Sequence, residues 1–224
     1  MALYISVGLT LALWYVIPFG RSIAYPLTLL STFVHELGHG LAALTVGHEF
    51  HSMEIHWDGS GVTHSAGTGG KLSLAWIAAG GLVGPAIGAA ILFNLGRHLK
   101  AARITLGTLG IFMLFLDIWV VRNVFGFVFV ALWAVVFLAI AIKGTKNLSR
   151  FSIIFLGSQL ALSVFCRADY LFTPVARTAN GDFPSDVGLI ADALWLPYWF
   201  WGLVCGGFSL AVLGIGVANF YRKS

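Results

Sequence analysis

Residues 25–46 read YPLTLLSTFVHELGHGLAALTV, an apolar stretch that is interrupted by His35, Glu36 and His39. A helix of about 20 such residues, rising about 1.5 Å per residue, can cross a hydrocarbon core of about 30 Å. Ionisable side chains are costly at that depth, and those found in the middle of a span are functional by default. The stretch therefore predicts a membrane helix that carries a functional site.

Similar apolar stretches recur along the chain. Its 224 residues are 58% hydrophobic and 10% charged, whereas soluble domains are about one quarter charged. Seven spans are predicted, at residues 3–19, 25–46, 72–95, 104–121, 124–142, 151–166 and 193–218. The sixth is short and contains Gln159, so six spans are the alternative. The composition predicts an all-α polytopic membrane protein with a single domain over residues 1–224.

The basic residues predict how the chain is oriented in its lipid bilayer. If all seven spans cross, nine of the 13 Lys and Arg residues fall on the same side as the C-terminus. The positive-inside rule makes that side cytoplasmic and places the N-terminus outside, in the cell membrane if the source is prokaryotic. This topological bias also accounts for the net charge of +4, so no nucleic-acid partner is predicted.

Two connections on the opposite, extracytoplasmic side are long. Residues 47–70 alternate in polarity before Asp58-Gly59, a pattern that predicts a small β-hairpin. Residues 167–192 contain prolines and acids, and they predict a polar loop that can fold back toward the membrane. Four histidines of the first connection are predicted to be solvated, with a second metal site or a pH-sensing surface as the alternative: His48, His51, His56 and His64.

The His-Glu-x-x-His spacing predicts a zinc site. Two imidazoles four residues apart lie on one face of a helix, where both can bind one Zn²⁺. In this interpretation His35 and His39 are ligands, and Glu36 is the general base that takes a proton from the attacking water. The alternative is a set of polar side chains that only hold helices together.

Three segments resemble the site-2 protease family of intramembrane zinc metalloproteases, in particular its compact branch without a PDZ domain. They are residues 33–40 (FVHELGHG), 79–88 (AGGLVGPAIG) and 185–189 (SDVGL). The resemblance implies zinc-dependent cleavage of a transmembrane segment in a partner protein, with release of a regulator. It also implies that the Gly-Pro element of the helix at 72–95 helps to shape the active-site cleft, for which a tight helix crossing is the alternative.

The third zinc ligand is one of two aspartates. A catalytic zinc site uses three protein ligands and leaves one position open. Asp186 matches the Ser-Asp element of the compact branch, which would have to dip inward from the extracytoplasmic side. Asp117 lies inside a predicted span at a depth similar to that of His39. The resemblance favours Asp186, and Asp117 remains the alternative ligand.

Two other classes of function use the same residues. An intramembrane metal transporter or sensor would bind its ion with His35, His39 and Asp117. Transporters of this kind commonly contain internal repeats, and none is recognisable in the sequence. A non-catalytic scaffold that keeps the motif is the third interpretation.

Overall fold

The computed structural model describes residues 2–166, 170–178 and 181–222, most of which are helical. The described residues form nine α-helices: α1 Ala2–Tyr15, α2 Gly20–Ile23, α3 Tyr25–Thr45, α4 Lys71–Leu95, α5 Leu99–Trp119, α6 Val124–Lys143, α7 Lys146–Cys166, α8 Asp186–Leu194 and α9 Tyr198–Tyr221. Two antiparallel hairpins pair β1 (Glu49–Ile55) with β2 (Gly61–Ala66) and β3 (Val175–Thr178) with β4 (Gly181–Pro184). The predicted helical fold is confirmed, and the first hairpin with it.

Five helices in the described part of the chain are long and apolar enough to cross a membrane: α4, α5, α6, α7 and α9. Helix α1 is apolar but has only 14 residues, and the backbone turns at Phe19 with φ of 58°. Helix α3 has 21 residues, but the polar groups of its motif lower its mean hydropathy. Whether these two helices also cross remains a prediction, and so does the total of seven or six spans.

The stretch predicted as the last span is interrupted in the structure. Helix α8 ends at Leu194, and Trp195 follows with a left-handed φ of 67°. Pro197 then directly precedes α9. Because proline has no N–H to donate and its ring clashes with the preceding turn, a continuous helix through this point is disfavoured. The predicted polar loop at 167–192 likewise contains regular structure: β3, β4 and the start of α8.

Helix α4 lies at the centre of the bundle and packs against α3, α7, α8 and α9. Small residues bring its backbone close to its neighbours. A Cβ atom added to Gly38 of α3 would lie 2.4 Å from the carbonyl oxygen of Gly80, and one added to Gly216 of α9 would lie 2.8 Å from Ala90. Such contacts are typical of helix packing in membranes, where close approach replaces the hydrophobic driving force.

The β1–β2 hairpin lies along α3 instead of projecting beyond its end. At the base of the hairpin, the Phe50 ring packs directly on Gly40 in the second half of α3. At its tip, the Tyr25 hydroxyl, at the first residue of α3, donates a hydrogen bond to the carbonyl of Trp57. The hairpin therefore runs back along the helix that carries the motif. On which side of the membrane it begins remains a prediction.

Both edges of β1 are occupied. One edge pairs with β2, and the other meets the turn between α5 and α6. In this turn the carbonyl of Val120 accepts a hydrogen bond from the Met53 N–H at 2.8 Å, and the Arg122 N–H donates to the Met53 carbonyl at 3.1 Å. The turn thus acts as a short third strand and fixes the hairpin from the side opposite β2.

Candidate metal centre

Helix α3 places His35 and His39 one turn apart on the same face, as the i, i+4 spacing predicts. Their Nε2 atoms are 3.2 Å apart, and the two rings meet edge to face with centroids 4.7 Å apart. Both Nε2 atoms therefore point at the same small volume.

Asp186 completes this group from the first turn of α8. Its Oδ2 atom lies 3.2 Å from Nε2 of His35, and its Oδ1 atom lies 3.3 Å from Nε2 of His39. The carboxylate is buried, with 6% of the residue exposed. Among the described residues, no other set of three or more His, Cys, Asp or Glu side chains converges in this way.

Ser185 fixes the start of α8 and thereby the position of Asp186. Its hydroxyl accepts a hydrogen bond from the Gly188 N–H at 3.1 Å, which is the usual role of a helix N-cap. The same hydroxyl donates to the carbonyl of Thr173 at 2.5 Å. The Ser185 N–H donates to the carbonyl of Pro174 at 3.0 Å. These bonds tie the aspartate to the chain that precedes it.

Asp117, the alternative ligand, does not join the group. It lies on α5 and is almost completely buried, and its Oδ1 atom has no hydrogen-bond partner in the described structure. It does not pair with Arg122 either, whose guanidinium donates to the carbonyls of Ile118 and Trp119 at the end of α5 and of Val121 in the turn that follows. The similar depth of Asp117 and His39 along their helices therefore does not bring the two side chains together.

Helix α4 orients the His39 imidazole. The Nδ1 atom lies 2.8 Å from the carbonyl oxygen of Ile77, so Nδ1 carries the proton and donates to that oxygen. The lone pair of Nε2 is then free to bind a metal ion. Gly81 lies against the ring, and a Cβ atom there would be 2.2 Å from Nε2. The Gly-rich stretch of α4 therefore both crosses α3 tightly and borders the histidine.

Glu36 lies on α3 and its side chain is buried against β2, with 5% of the residue exposed. The Thr63 hydroxyl lies 2.8 Å from its Oε2 atom and 2.9 Å from its carbonyl oxygen. A Cβ atom at Gly61 would lie 2.6 Å from Cγ of Glu36. Sequence reasoning missed both β2 residues, and only their place in a predicted hairpin next to the motif helix could have suggested them.

A cavity of about 30 Å³ adjoins His35, which is enough volume for about one water molecule. The hydroxyl-bearing Ser31 and Ser163 line it together with Pro85 and Tyr170. The Tyr170 ring stands edge-on to the His35 ring, with centroids 6.2 Å apart. The partly buried His35 therefore borders a space in which water can be held.

The residues of this group fit a zinc ion. Two imidazole nitrogens and one carboxylate oxygen lie within 4.8 Å of one another, and nitrogen and oxygen are ligand types that zinc accepts. The Oδ2 atom of Asp186 is buried and has no hydrogen-bond partner other than the facing imidazole. A metal ion between the three side chains would satisfy it.

The hairpin histidines are not all solvated. His51 and His64 are exposed, whereas His48 is buried and its Nε2 atom accepts a hydrogen bond from the Gly69 N–H at 3.2 Å. His56 is half-buried, with Nε2 3.6 Å from a carboxylate oxygen of Glu54. The prediction of solvated side chains is therefore wrong for His48, which holds the base of the hairpin.

Searches of curated proteins and of solved structures give no significant match to this chain. The family described as peptidase M50B-like matches residues 5–216, which is nearly the whole chain. This match confirms the resemblance to the site-2 proteases, and with it a metalloprotease of the membrane. The chain belongs to the peptidase M50B-like family, and it is a multi-pass membrane protein.

Proposed function

We propose that the protein is a zinc-dependent intramembrane endopeptidase that cleaves a transmembrane segment of a partner protein in regulated proteolysis. His35, His39 and Asp186 hold the zinc ion, and Glu36 is the general base. The observation that supports this most strongly is the approach of Asp186 to both histidines, at 3.2 and 3.3 Å. Three ligands with N, N and O donors are the number and type found in catalytic zinc sites.

Bound zinc would polarise the scissile carbonyl and favour ionisation of the attacking water. Glu36 receives the proton of that water on its carboxylate and delivers it to the departing amide nitrogen. Thr63, 2.8 Å from Oε2, fixes the rotamer of the carboxylate. The bond between His39 Nδ1 and the Ile77 carbonyl keeps the imidazole turned toward the site.

The substrate is inferred from the surroundings of the site. The ligands lie on helices of an apolar bundle, where a transmembrane helix can approach but its backbone carbonyls are already hydrogen-bonded internally. Cleavage therefore requires the substrate helix to unwind locally. We expect substrates with helix-weakening residues such as Gly or Pro near the cut.

Replacing Glu36 tests the mechanism. In purified Glu36→Gln protein, zinc measured by atomic emission should remain near one ion per chain. Cleavage of a co-reconstituted transmembrane substrate should fall by at least about 100-fold, because general base catalysis contributes roughly that much. Undiminished cleavage by this variant would reject the mechanism.

Replacing the two aspartates tests the metal site. Asp186→Ala should lose zinc, whereas Asp117→Ala should keep it, because only Asp186 contacts the histidines. Circular dichroism of both variants controls for folding. Zinc lost with Asp117 and kept with Asp186 would contradict the assignment.

The same preparations separate the proposal from its competitors. Zinc binding together with cleavage supports the protease. Tight zinc binding without cleavage of any transmembrane substrate would indicate a scaffold, and movement of metal ions into vesicles would indicate a transporter. The transporter hypothesis requires Asp117 as a ligand. Asp117 does not converge with the two histidines.

A further inference from the structure

The turn between α5 and α6 binds β1 through a side chain as well as through its backbone. The Nδ2 group of Asn123 donates a hydrogen bond to the carbonyl of Ile55 at 2.6 Å, and its Oδ1 atom accepts one from the Ile55 N–H at 3.1 Å. The side-chain amide thus satisfies both backbone groups of Ile55, as a neighbouring strand would. Ile55 is completely buried at this contact.

Asn123 makes this contact in place of its usual role. It stands directly before α6 in the extended N-cap conformation, where an asparagine commonly accepts a hydrogen bond from the first turn of the helix. Its side chain makes no such bond here. Gly126, in the first turn of α6, leaves room for the amide, because a Cβ atom there would lie 2.4 Å from Oδ1. The local geometry therefore directs the amide to the hairpin.

The register of β1 and β2 links this contact to Glu36. Ile55 of β1 pairs with Gly61 of β2, and Met53 pairs with Thr63. Gly61 and Thr63, both on β2, lie against the Glu36 side chain. A clamp on the outer edge of β1 therefore sets the distance of β2 from the carboxylate.

We propose that Asn123 is a positioning residue for Glu36 and acts through the β1–β2 hairpin. This inference rests on the role of Glu36 proposed above. A general base must lie within hydrogen-bond reach of the proton that it removes. A displacement of about 1 Å caused by a distant substitution can lower a rate by about 100-fold. Releasing the hairpin would allow such a displacement without any change in the zinc ligands.

Asn123→Asp is the sharpest variant. Aspartate has nearly the same shape, and the Asn123 side chain makes no N-cap bond that could be lost, so α6 keeps its start. It lacks the amide donor, however, and turns a carboxylate oxygen toward the Ile55 carbonyl. We expect kcat for cleavage to fall by about 10- to 100-fold at unchanged zinc content. Asn147→Asp, an exposed position at the start of α7, is the matched control and should behave as wild type.

A second measurement does not depend on activity. Hydrogen exchange followed by mass spectrometry should show faster exchange at residues 49–66 in the Asn123→Asp variant. Exchange in α7 and α9 should match wild type, which excludes general destabilisation. Wild-type exchange in the hairpin would overturn the inference, and so would faster exchange with an unchanged kcat.

A double-mutant cycle with Thr63→Val tests the route of the effect. If Asn123 acts through β2, the double variant should lose little more activity than Asn123→Asp alone. Fully multiplicative losses would show that Asn123 acts elsewhere and would overturn the inference. Cleavage retained by Glu36→Gln would instead overturn the proposed function itself, so the two failures are distinguishable.

Discussion

Gly81 leaves space that the proposed metal centre requires. Its missing side chain leaves the space that the His39 imidazole occupies, and the ring is hydrogen-bonded on its other nitrogen to the carbonyl of Ile77 in the same helix. A glycine in the middle of a helix costs up to about 1 kcal/mol relative to alanine. At this position the absence of a side chain lets the His39 ring lie in contact with α4.

Gly81→Ala should therefore weaken zinc binding. A Cβ atom 2.2 Å from Nε2 of His39 would turn the ring and break its bond to Ile77. Lost orientation of a ligand costs about 10- to 100-fold in metal affinity, which competition with a chelator would measure. Gly107→Ala in α5 is the control, because its Cβ would meet Ala141 at an ordinary 3.6 Å. Equal zinc affinity in the two variants would contradict this account.

The choice between Asp186 and Asp117 depends on tertiary structure, unlike the pairing of the two histidines. The spacing of His35 and His39 is a local property of a helix, so the sequence predicts their meeting directly. The approach of an aspartate is a tertiary contact, which depends on how α8 packs against α4. Depth along a span gave no guide, because Asp186 arrives on a separate short helix.

Among the elements, α8 brings the third member of the group to the centre. It has nine residues, too few to be stable as an isolated helix, so its position depends on its cap and its packing. The Ser185 cap and the contacts of Val187 and Ile190 with α4 and α9 supply these. The element that completes the proposed site therefore depends on its cap and on tertiary packing for its position.

Ser185→Ala should loosen this element and weaken zinc binding. Loss of an N-cap costs about 1 kcal/mol, so we expect zinc affinity to fall by about fivefold. Thr145→Ala is a matched control, since the Thr145 hydroxyl accepts from the Leu148 N–H at the start of α7, where it does not contact the metal centre. Its zinc affinity should remain that of wild type. A fall of the same size in both variants would point to general destabilisation.

Arginine side chains join several helix ends at one end of the whole molecule. Arg97 donates to the carbonyl of Arg222, Arg150 donates to that of Gly96 at 3.0 Å, and Arg103 donates to that of Ala141 at 2.6 Å. The end of α9, the α4–α5 turn and the end of α6 therefore lie together. These are the basic segments that the sequence assigns to one side of the bilayer.

We expect this arginine-rich end to face the cytoplasm. In a bacterial host, green fluorescent protein fused to the C-terminus should fluoresce, and alkaline phosphatase fused there should be inactive. Fusions to the N-terminus should give the opposite result. Active phosphatase at the C-terminus would reverse the predicted orientation, and active phosphatase at both ends would imply an even number of spans.

For the whole molecule, composition predicted more than the pattern of individual residues did. Long apolar stretches predicted helices suited to lipid, because a chain that crosses a bilayer must satisfy its backbone polar groups internally. The break at residues 195–197 was less visible in the sequence. Pro197 lies among apolar and aromatic residues, so it does not interrupt the apolar stretch. The position of the β1–β2 hairpin along α3 was not predictable, because Phe50 meets Gly40, and Thr63 meets Glu36, only in the folded chain.

The contact of Asp186 with His35 also has a consequence for biosynthesis. The two histidines and Glu36 lie on α3, whereas the aspartate lies on α8, so it leaves the ribosome after them. A contact between residues so distant in sequence cannot form until both segments have been made, and closing the long intervening chain costs conformational entropy. A nascent chain therefore contains Glu36 and the two histidines before Asp186 can join them in the proposed metal centre.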